Sequence, residues 1–595
     1  MSNTFYVPEG AAFGLQGESF RLASGGGAEL CSQKRFNISA CRGSFAAFSA
    51  VILWPDYARL HTQARAAVSP VHEETVLRVD VKGELPATVY TADMMEFQAD
   101  AKVADPLLTG QMMPMRPYSP VQLFFDVPVP VDQPKGDVSL LVRLFAHIGC
   151  MDEVLVETLH VTIRVSAVAL PQGADRQFFL NLWQHPANIA RQHEVDLFSD
   201  AHFVILEEYA RWMGRLGIKA CTVMLSDFPW AGQRCYRETR NVSDLFEYNY
   251  VKIRKDPQGT FHFDFSNVLR YVRLMKRYGC AEQIMLTGLM GIWMDVENGF
   301  GRLAPDWQEP IRLAYVDETD GCVRYMRTAA DIETYLQAVH RFLAESDLLN
   351  RCVLMSDEVD RGEIDTGWQT ARERVLQLLP GLRLEWDVPP PVLLSDSFRD
   401  TRVDVYTPGL PEYFDKDSLR YHADVARKIE GALVLWSVCC WPPIPNSFLM
   451  SPLLEVRLHG PLTEHIGMDG FLRWNFTVWP SRPRESLSFA LPGWPQGDTC
   501  FVYPGRGGQC FPSLRYFALL RGMEDFELMR MVRQRCKDGE NIVRRALALV
   551  IREKDLSHWD MMRLDYREQY YSLDDADYDA MRRMLIDALE GCSDD

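Results

Sequence analysis

Asp357 and Glu358 are adjacent carboxylates closing the apolar run Cys352-Val353-Leu354-Met355-Ser356. A buried strand that ends in two acids opens into a loop able to carry a site. Two neighbouring carboxyl groups are the minimum equipment for cleaving a glycosidic bond, one protonating the leaving oxygen while the other positions or attacks. Successive residues of a regular strand face opposite sides, so both acids reach one pocket only where the strand breaks, and the end position permits this. Asp360, Glu363 and Asp365 follow closely, so a solvated acidic loop is the competing reading of the same stretch.

The elements that must position the pair change character along the chain. Up to about residue 170, Leu77, Val79 and Val81 alternate with Arg78, Asp80 and Lys82, and Leu159, Val161, Ile163 and Val165 alternate with His160, Thr162 and Arg164. Period two with one polar face predicts antiparallel strands, hence an N-terminal β-sandwich over residues 1–172, with Leu170-Pro171-Gln172-Gly173 as linker. Residues 173–595 follow a different rhythm. A strand-like Phe178 to Trp183 precedes a helix that starts at the N-cap Ser199, carries Phe203, Leu206, Ala210, Met213 and Leu216 on one face, and stops at Gly217. A strand over 218–224, a helix near Ser266 to Tyr278 and a strand through Ile284 to Leu286 repeat the unit. Further strands are expected at 352–356, 383–387, 402–406, 432–438 and 470–477. Eight strands alternating with helices predict an α/β fold, a (β/α)8 TIM-type barrel. From about residue 510, helical patterns at Ser513 to Arg533 and Asn541 to Arg552 give the last barrel helix and a helical extension.

In such a barrel the active site lies at the C-terminal strand ends. His185, Asp227, Trp230, Trp293, Trp436, Trp441, Trp474, Asn475 and Trp479 fall there, with Tyr503 in a Gly-flanked turn beyond. Aromatic rings around a few carboxylates and amides suit a sugar, whose C–H faces pack on indoles while its hydroxyls need polar partners. Each Trp alone reads at least as well as core. Gly505-Arg506-Gly507-Gly508 lacks the Lys-Ser/Thr of a phosphate loop and reads as a turn, and His185, His193 and His202 lack metalloprotease spacing. Arg515, Arg521, Glu524 and Asp525 on one helical pattern predict ion pairs that hold that helix to the barrel.

Lys and Arg total 63 against 81 Asp and Glu, a net charge of −18 with no basic stripe, which argues against a nucleic-acid partner. The start Met1-Ser2-Asn3-Thr4-Phe5 does not read as a signal peptide, and no apolar run approaches the roughly 18 residues of a membrane span. Fourteen scattered cysteines, Cys439-Cys440 adjacent among them, predict reduced, mostly buried thiols in a cytoplasmic protein. Oligomeric state is not encoded in these features.

Leu182-Trp183-Gln184-His185-Pro186, Phe198-Ser199-Asp200-Ala201-His202 and Phe228-Pro229-Trp230 resemble the opening of glycoside hydrolase family 123. The Met355 to Glu358 segment, Gly470 to Asn475, Tyr503-Pro504-Gly505, Ser513-Leu514-Arg515 and Arg521-Gly522-Met523-Glu524-Asp525 extend the resemblance over roughly residues 178–535. The family's β-N-acetylgalactosaminidases act with retention through the substrate's own acetamido group. The resemblance implies that Asp357 accepts a hydrogen bond from the acetamide N–H while the acetamide oxygen attacks C1. Glu358 then protonates the leaving oxygen and later deprotonates the water that opens the oxazoline. No metal or organic cofactor is implied, and the partner is a small oligosaccharide or glycoconjugate. Val359, followed by Asp360, departs from the basic residue or proline that close members often carry after the pair. A β-glycosidase for another sugar and a catalytically silent glycan-binding protein are the alternatives.

Overall fold

The computed structural model describes residues 7–25, 27–62, 75–98, 101–110, 112–149, 151–229, 246–290, 311–356, 367–411, 422–489 and 494–592. The alternating segments fold as strands. Thr75–Gly83 buries Leu77 and Val79, and Val154–Ala169 buries Leu159, Val161, Ile163 and Val165 while exposing His160 and Arg164. A five-stranded sheet orders Ala12–Gln16, Ser44–Leu53, Val121–Val129, Thr88–Gln98 and Ala101–Leu108. A six-stranded sheet orders Arg35–Arg42, Val154–Ala169, Gly136–Ile148, Thr75–Gly83, Ala58–His61 and Met112–Met115. Leu15, Phe48 and Phe125 of the first sheet share a core with Leu77, Leu140 and Ile163 of the second. The first sheet is antiparallel throughout. The second departs from the all-antiparallel expectation, since Arg35–Arg42 runs parallel to Val154–Ala169, and Ala58–His61 parallel to Thr75–Gly83. In neither pair does a hairpin join the two strands; the chain between them is long enough to cross over.

Eight further strands form one parallel sheet: Phe179–Leu182, Ala220–Met224, Gln283–Thr287, Cys352–Ser356, Arg383–Trp386, Val405–Tyr406, Leu433–Ser437 and Gly470–Arg473, called here strands one to eight. They lie in the order one, eight, seven, six, five, four, three, two. The seam between strands one and two is spanned by a bridge from Leu180 to Ile218 and by Lys219 N–H donating to Leu180 O at 2.9 Å. Beyond it the Gln184 side chain stands in for a missing strand residue, accepting from Thr222 N–H at 2.8 Å and donating to Ala220 O at 3.1 Å. The fold is mixed α/β, a sheet-rich N-terminal region joined to a nearly closed eight-stranded barrel. The Asp200–Leu216 helix begins where Ser199 Oγ accepts the His202 N–H at 3.1 Å and ends at Gly217 with φ 92°, as its sequence predicts.

The barrel interior is not wholly apolar. Asn181, Gln283 and Glu385 come from strands one, three and five, and both amides donate to the Glu385 carboxyl, at 3.4 and 3.3 Å. Contributions from alternate strands are how barrel layers are built. Burial pushes the Glu385 carboxyl up to about 8, and Arg383 opposes this only in part.

The Leu514–Arg535 helix is more than an extension: 17 of its 22 residues are buried, between barrel and sandwich. The ion pairs expected on it form, and they reach the sandwich as well as the barrel. Arg521 pairs with Glu18 at 3.0 Å and Glu524 at 2.5 Å, Arg457 with Asp525 at 2.7 Å and Glu18 at 3.2 Å, and Arg582 with Asp525 at 2.6 Å and Glu524 at 3.1 Å. Burial pushes Asp525 up, but Arg457 and Arg582 outweigh it and hold the carboxyl below its usual range. Glycines allow the helices to approach this closely: a Cβ on Gly460 would lie 1.7 Å from Gly522 O, and one on Gly522 would lie 2.1 Å from Arg457 O. The final helix, Asp575–Cys592, supplies Arg582 and is joined to the chain by a Cys536–Cys592 disulfide, against the expectation of reduced thiols throughout. The two cysteines are 56 residues apart, and only helix packing brings them together.

Two outcomes follow from these buried charges. Asp525→Ala leaves two buried guanidiniums short of a partner and should cost about 3–5 kcal/mol in denaturant unfolding; a loss near that of a surface ion pair would contradict the cluster. Glu385 outside the fold ionises in the ordinary carboxyl range, but inside it keeps its proton to about pH 8. Its contribution therefore weakens stability progressively as pH rises from its unfolded value to its folded one, and is constant above that. Glu385→Gln should remove this slope, leaving the variant more stable near pH 8 by on the order of 1–3 kcal/mol, as thermal midpoints across the range would show. Parallel curves for the two proteins would contradict it.

Candidate active site

The strands deliver their last residues to one end of the barrel. Strand one exits through Trp183, Gln184 and His185, whose backbone N–H donates to Thr477 Oγ1 at 3.3 Å beyond strand eight. The His185 ring is buried, which depresses its pKa, and Arg191 adds to that effect. It begins the short Pro186–Gln192 helix, and Glu247 accepts the N–H groups of Ala187 at 2.9 Å and Asn188 at 3.2 Å. Burial pushes Glu247 up to about 7 against the pull of Arg191 and these two N–H groups.

Strand two exits through Ser226, whose hydroxyl donates to Gly288 O at 2.6 Å, and Asp227, which accepts Asn249 N–H at 2.9 Å. Burial raises Asp227 to about 6, opposed by that N–H and by Arg312. A second carboxyl thus stands at the strand-end face with a pKa near neutrality. Strand four ends at Ser356, so Asp357 and Glu358 follow it directly in sequence; they lie outside the described residues, as do Trp230 and Trp293.

At the far side Arg473, on strand eight, is fully buried and clamps two loops of the mouth. It donates to Asp498 Oδ1 at 2.7 Å, Asp498 O at 2.9 Å, Asn446 Oδ1 at 2.9 Å and Val438 O at 3.2 Å. Next to it Trp474 is partly buried, lies 5.1 Å from Trp494 edge to face, and donates to Asp498 Oδ1 at 3.4 Å. Trp441, beyond strand seven, is 49% exposed, with Nε1 2.8 Å from Met562 Sδ.

Three expected sugar-binding residues are spent elsewhere. Trp436 donates to Thr463 Oγ1 at 2.8 Å, Trp479 to Val502 O at 2.8 Å, and Tyr503 to Asp105 Oδ2 at 2.6 Å, and all three are fully buried. With ring and polar tip both engaged they pack the core, and the expectation that they stack on a sugar gives way to that role. Asn475 differs: its amide is fully buried at the exit of strand eight, yet among the described residues Nδ2 and Oδ1 have no hydrogen-bond partner. Thr287, ending strand three, and Thr407, following strand six, are likewise buried, with hydroxyls that find no partner among the described residues. A sequence reading passes over both threonines, because an unpaired hydroxyl has no signature in residue order. Unsatisfied buried polar groups at one end of a barrel call for an explanation, and a polar ligand supplies it. Among the described residues no cluster of three or more His, Cys, Asp or Glu could hold a metal ion.

The barrel carries a buried polar site at its strand ends, and the comparisons with known proteins make the chain a glycoside hydrolase. The catalytic-domain model of glycoside hydrolase family 123 matches residues 183–532, more than half of the 595 residues, and the chain belongs to that family. A family 123 glycoside hydrolase from Clostridium perfringens superposes with a TM-score of 0.69 at 15% identity, covering 98% of this chain and 97% of that one. SrfJ from Salmonella typhimurium (TM-score 0.32, 9% identity, 60% of this chain and 75% of that one) and a β-glucuronidase from Bifidobacterium dentium (TM-score 0.30, 9% identity, 86% and 66%) are far more distant. No curated protein matches the sequence.

Because the Asn475 amide bonds to none of the described residues, Asn475→Ala should move the thermal midpoint little while lowering kcat/KM about 10-fold or more. A large loss of stability with kcat/KM unchanged would assign the amide to the fold.

Proposed function

We propose that this enzyme is a retaining exo-β-N-acetylgalactosaminidase in which the substrate acetamide is the nucleophile. The observation that carries the reading is the position of Asp357-Glu358 immediately after strand four, within the segment matched by the family 123 catalytic domain. Asp357 accepts the acetamide N–H and steadies the charge that builds as the acetamide oxygen attacks C1. Glu358 gives its proton to the leaving oxygen, then takes one from the water that opens the oxazoline. No enzyme carboxylate bonds to the sugar, unlike the two-carboxylate retaining scheme. Asn475, Thr287 and Thr407 offer hydrogen bonds to sugar hydroxyls, and Trp441 and Trp474 offer apolar faces.

In this reading the nearly closed barrel is of the TIM type, residues 173–595 form the catalytic unit and residues 1–172 the sandwich domain, and the enzyme works in the cytoplasm. The Clostridium perfringens relative is described as hydrolysing glycolipid glycans, and glycans of that class are the proposed substrates here.

A panel of aryl glycosides on wild type, Asp357→Asn and Glu358→Gln tests the reading. The aryl β-N-acetylgalactosaminide should be cleaved and an oxazoline-mimicking thiazoline should inhibit. Either substitution should lower kcat by about 100-fold or more. Cleavage of a 2-hydroxy glycoside at a comparable rate would sink acetamide assistance, and binding without turnover at any pH would leave a glycan-binding protein.

A further inference from the structure

On the loop leaving strand seven, Cys439 and Cys440 hold their Sγ atoms 4.0 Å apart. Cys440 is exposed and Cys439 partly buried. The backbone around them is held from two sides. Asn446 Nδ2 donates to Cys439 O at 2.9 Å and Pro442 O at 2.7 Å, while Arg473 donates to Val438 O at 3.2 Å and to the Asn446 side chain at 2.9 Å. The next residue, Trp441, is tied to Met562 of the C-terminal region. The two thiols therefore stand on a braced loop at the rim of the strand-end face.

Two sulfurs this close can share one soft centre: a tetrahedral ion with bonds of about 2.3 Å would set them about 3.8 Å apart, and a pyramidal trivalent centre with bonds of that length would draw them to roughly 3.3 Å, a small closure of the loop. A closed metal site needs further ligands, and no group of three or more His, Cys, Asp or Glu among the described residues provides them. The pair suits instead a thiophilic centre that two thiolates satisfy and that brings its remaining substituent with it. Cys536 and Cys592 are bonded to each other and do not compete for it.

We propose that Cys439 and Cys440 form a chelating dithiol site for trivalent organoarsenicals, and that its occupation slows hydrolysis by rearranging the loop clamped by Arg473; the second clause rests on the proposed function. With phenylarsine oxide, two S–H and one As–O linkage break, two As–S bonds form, and the two protons leave with the oxygen as one water. Arsenic stays trivalent, so no oxidant or reductant is required.

The test is intact-mass analysis of the full-length protein treated with phenylarsine oxide, alongside hydrolysis of whichever aryl glycoside the wild type cleaves. One phenylarsenic adduct should form, resist a monothiol and be removed by a small dithiol. Cys440→Ser should keep wild-type activity and carry no adduct, whereas Cys322→Ser, which removes an exposed thiol elsewhere, should keep it. The adduct should lower the wild-type rate about 10-fold and leave Cys440→Ser untouched. Absence of the adduct in wild type, or its persistence in Cys440→Ser, would overturn the site. An adduct without loss of rate would overturn the coupling to hydrolysis. A protein that takes up the adduct but cleaves no aryl glycoside would support the site and count against the proposed function.

Discussion

Three carboxylates and three guanidiniums meet where sandwich, barrel and C-terminal helix converge, all buried but Glu18, which is partly so: Glu18, Glu524 and Asp525 against Arg457, Arg521 and Arg582. The set is electrically neutral, which buried charges must approach if desolvation is to be offset. It is also directional. Glu18 follows the first sandwich strand, Arg457 lies between strands seven and eight, and Arg582 comes from the last helix, so the Leu514–Arg535 helix between them has one register in which every partner is met. Two glycines, 460 and 522, set the depth of that contact.

From this helix the constraint passes to the site. Arg515, one residue into the helix, is fully buried and donates to Ser447 O at 2.9 Å and Gly497 O at 2.7 Å while pairing with Asp105 of the sandwich at 3.0 Å. Arg473 takes hold of the neighbouring residues Asn446 and Asp498. Two buried guanidiniums, one on the wedge helix and one on strand eight, thus fix both loops on this side of the mouth. The sandwich reaches the strand-end face through Asp105, which also binds Tyr503. This accounts for the burial of Tyr503: its hydroxyl is part of the brace.

Barrel strands such as Cys352–Ser356 and Leu433–Ser437 were legible in the sequence as apolar runs, and the first full helix by its bounds Ser199 and Gly217. The charged row Arg515, Arg521, Glu524, Asp525 was legible as ion-pairing, though not the identity of the partners outside the row, which lie from 57 to 503 residues away. The aromatic residues were legible only as a set. Trp436 and Trp479 carry the same local signature as Trp441 and Trp474, and only the positions of Thr463 and Val502 decide that the first two are internal. Parallel pairing in the sandwich and the Cys536–Cys592 link depend on which distant segments meet, and residue order does not state that. The hydroxyls of Thr287 and Thr407 and the Asn475 amide emerge only once the described residues around them are seen to offer no partner.

The central claim is that the strand-end site cleaves a glycosidic bond with the substrate's acetamide as nucleophile. Following the anomeric proton of the sugar first released from an aryl β-N-acetylgalactosaminide by NMR, before mutarotation, tests it most directly. Two displacements at C1, by the acetamide and then by water, deliver the β-anomer first. First release of the α-anomer would mean that water attacks C1 directly, and would contradict the account.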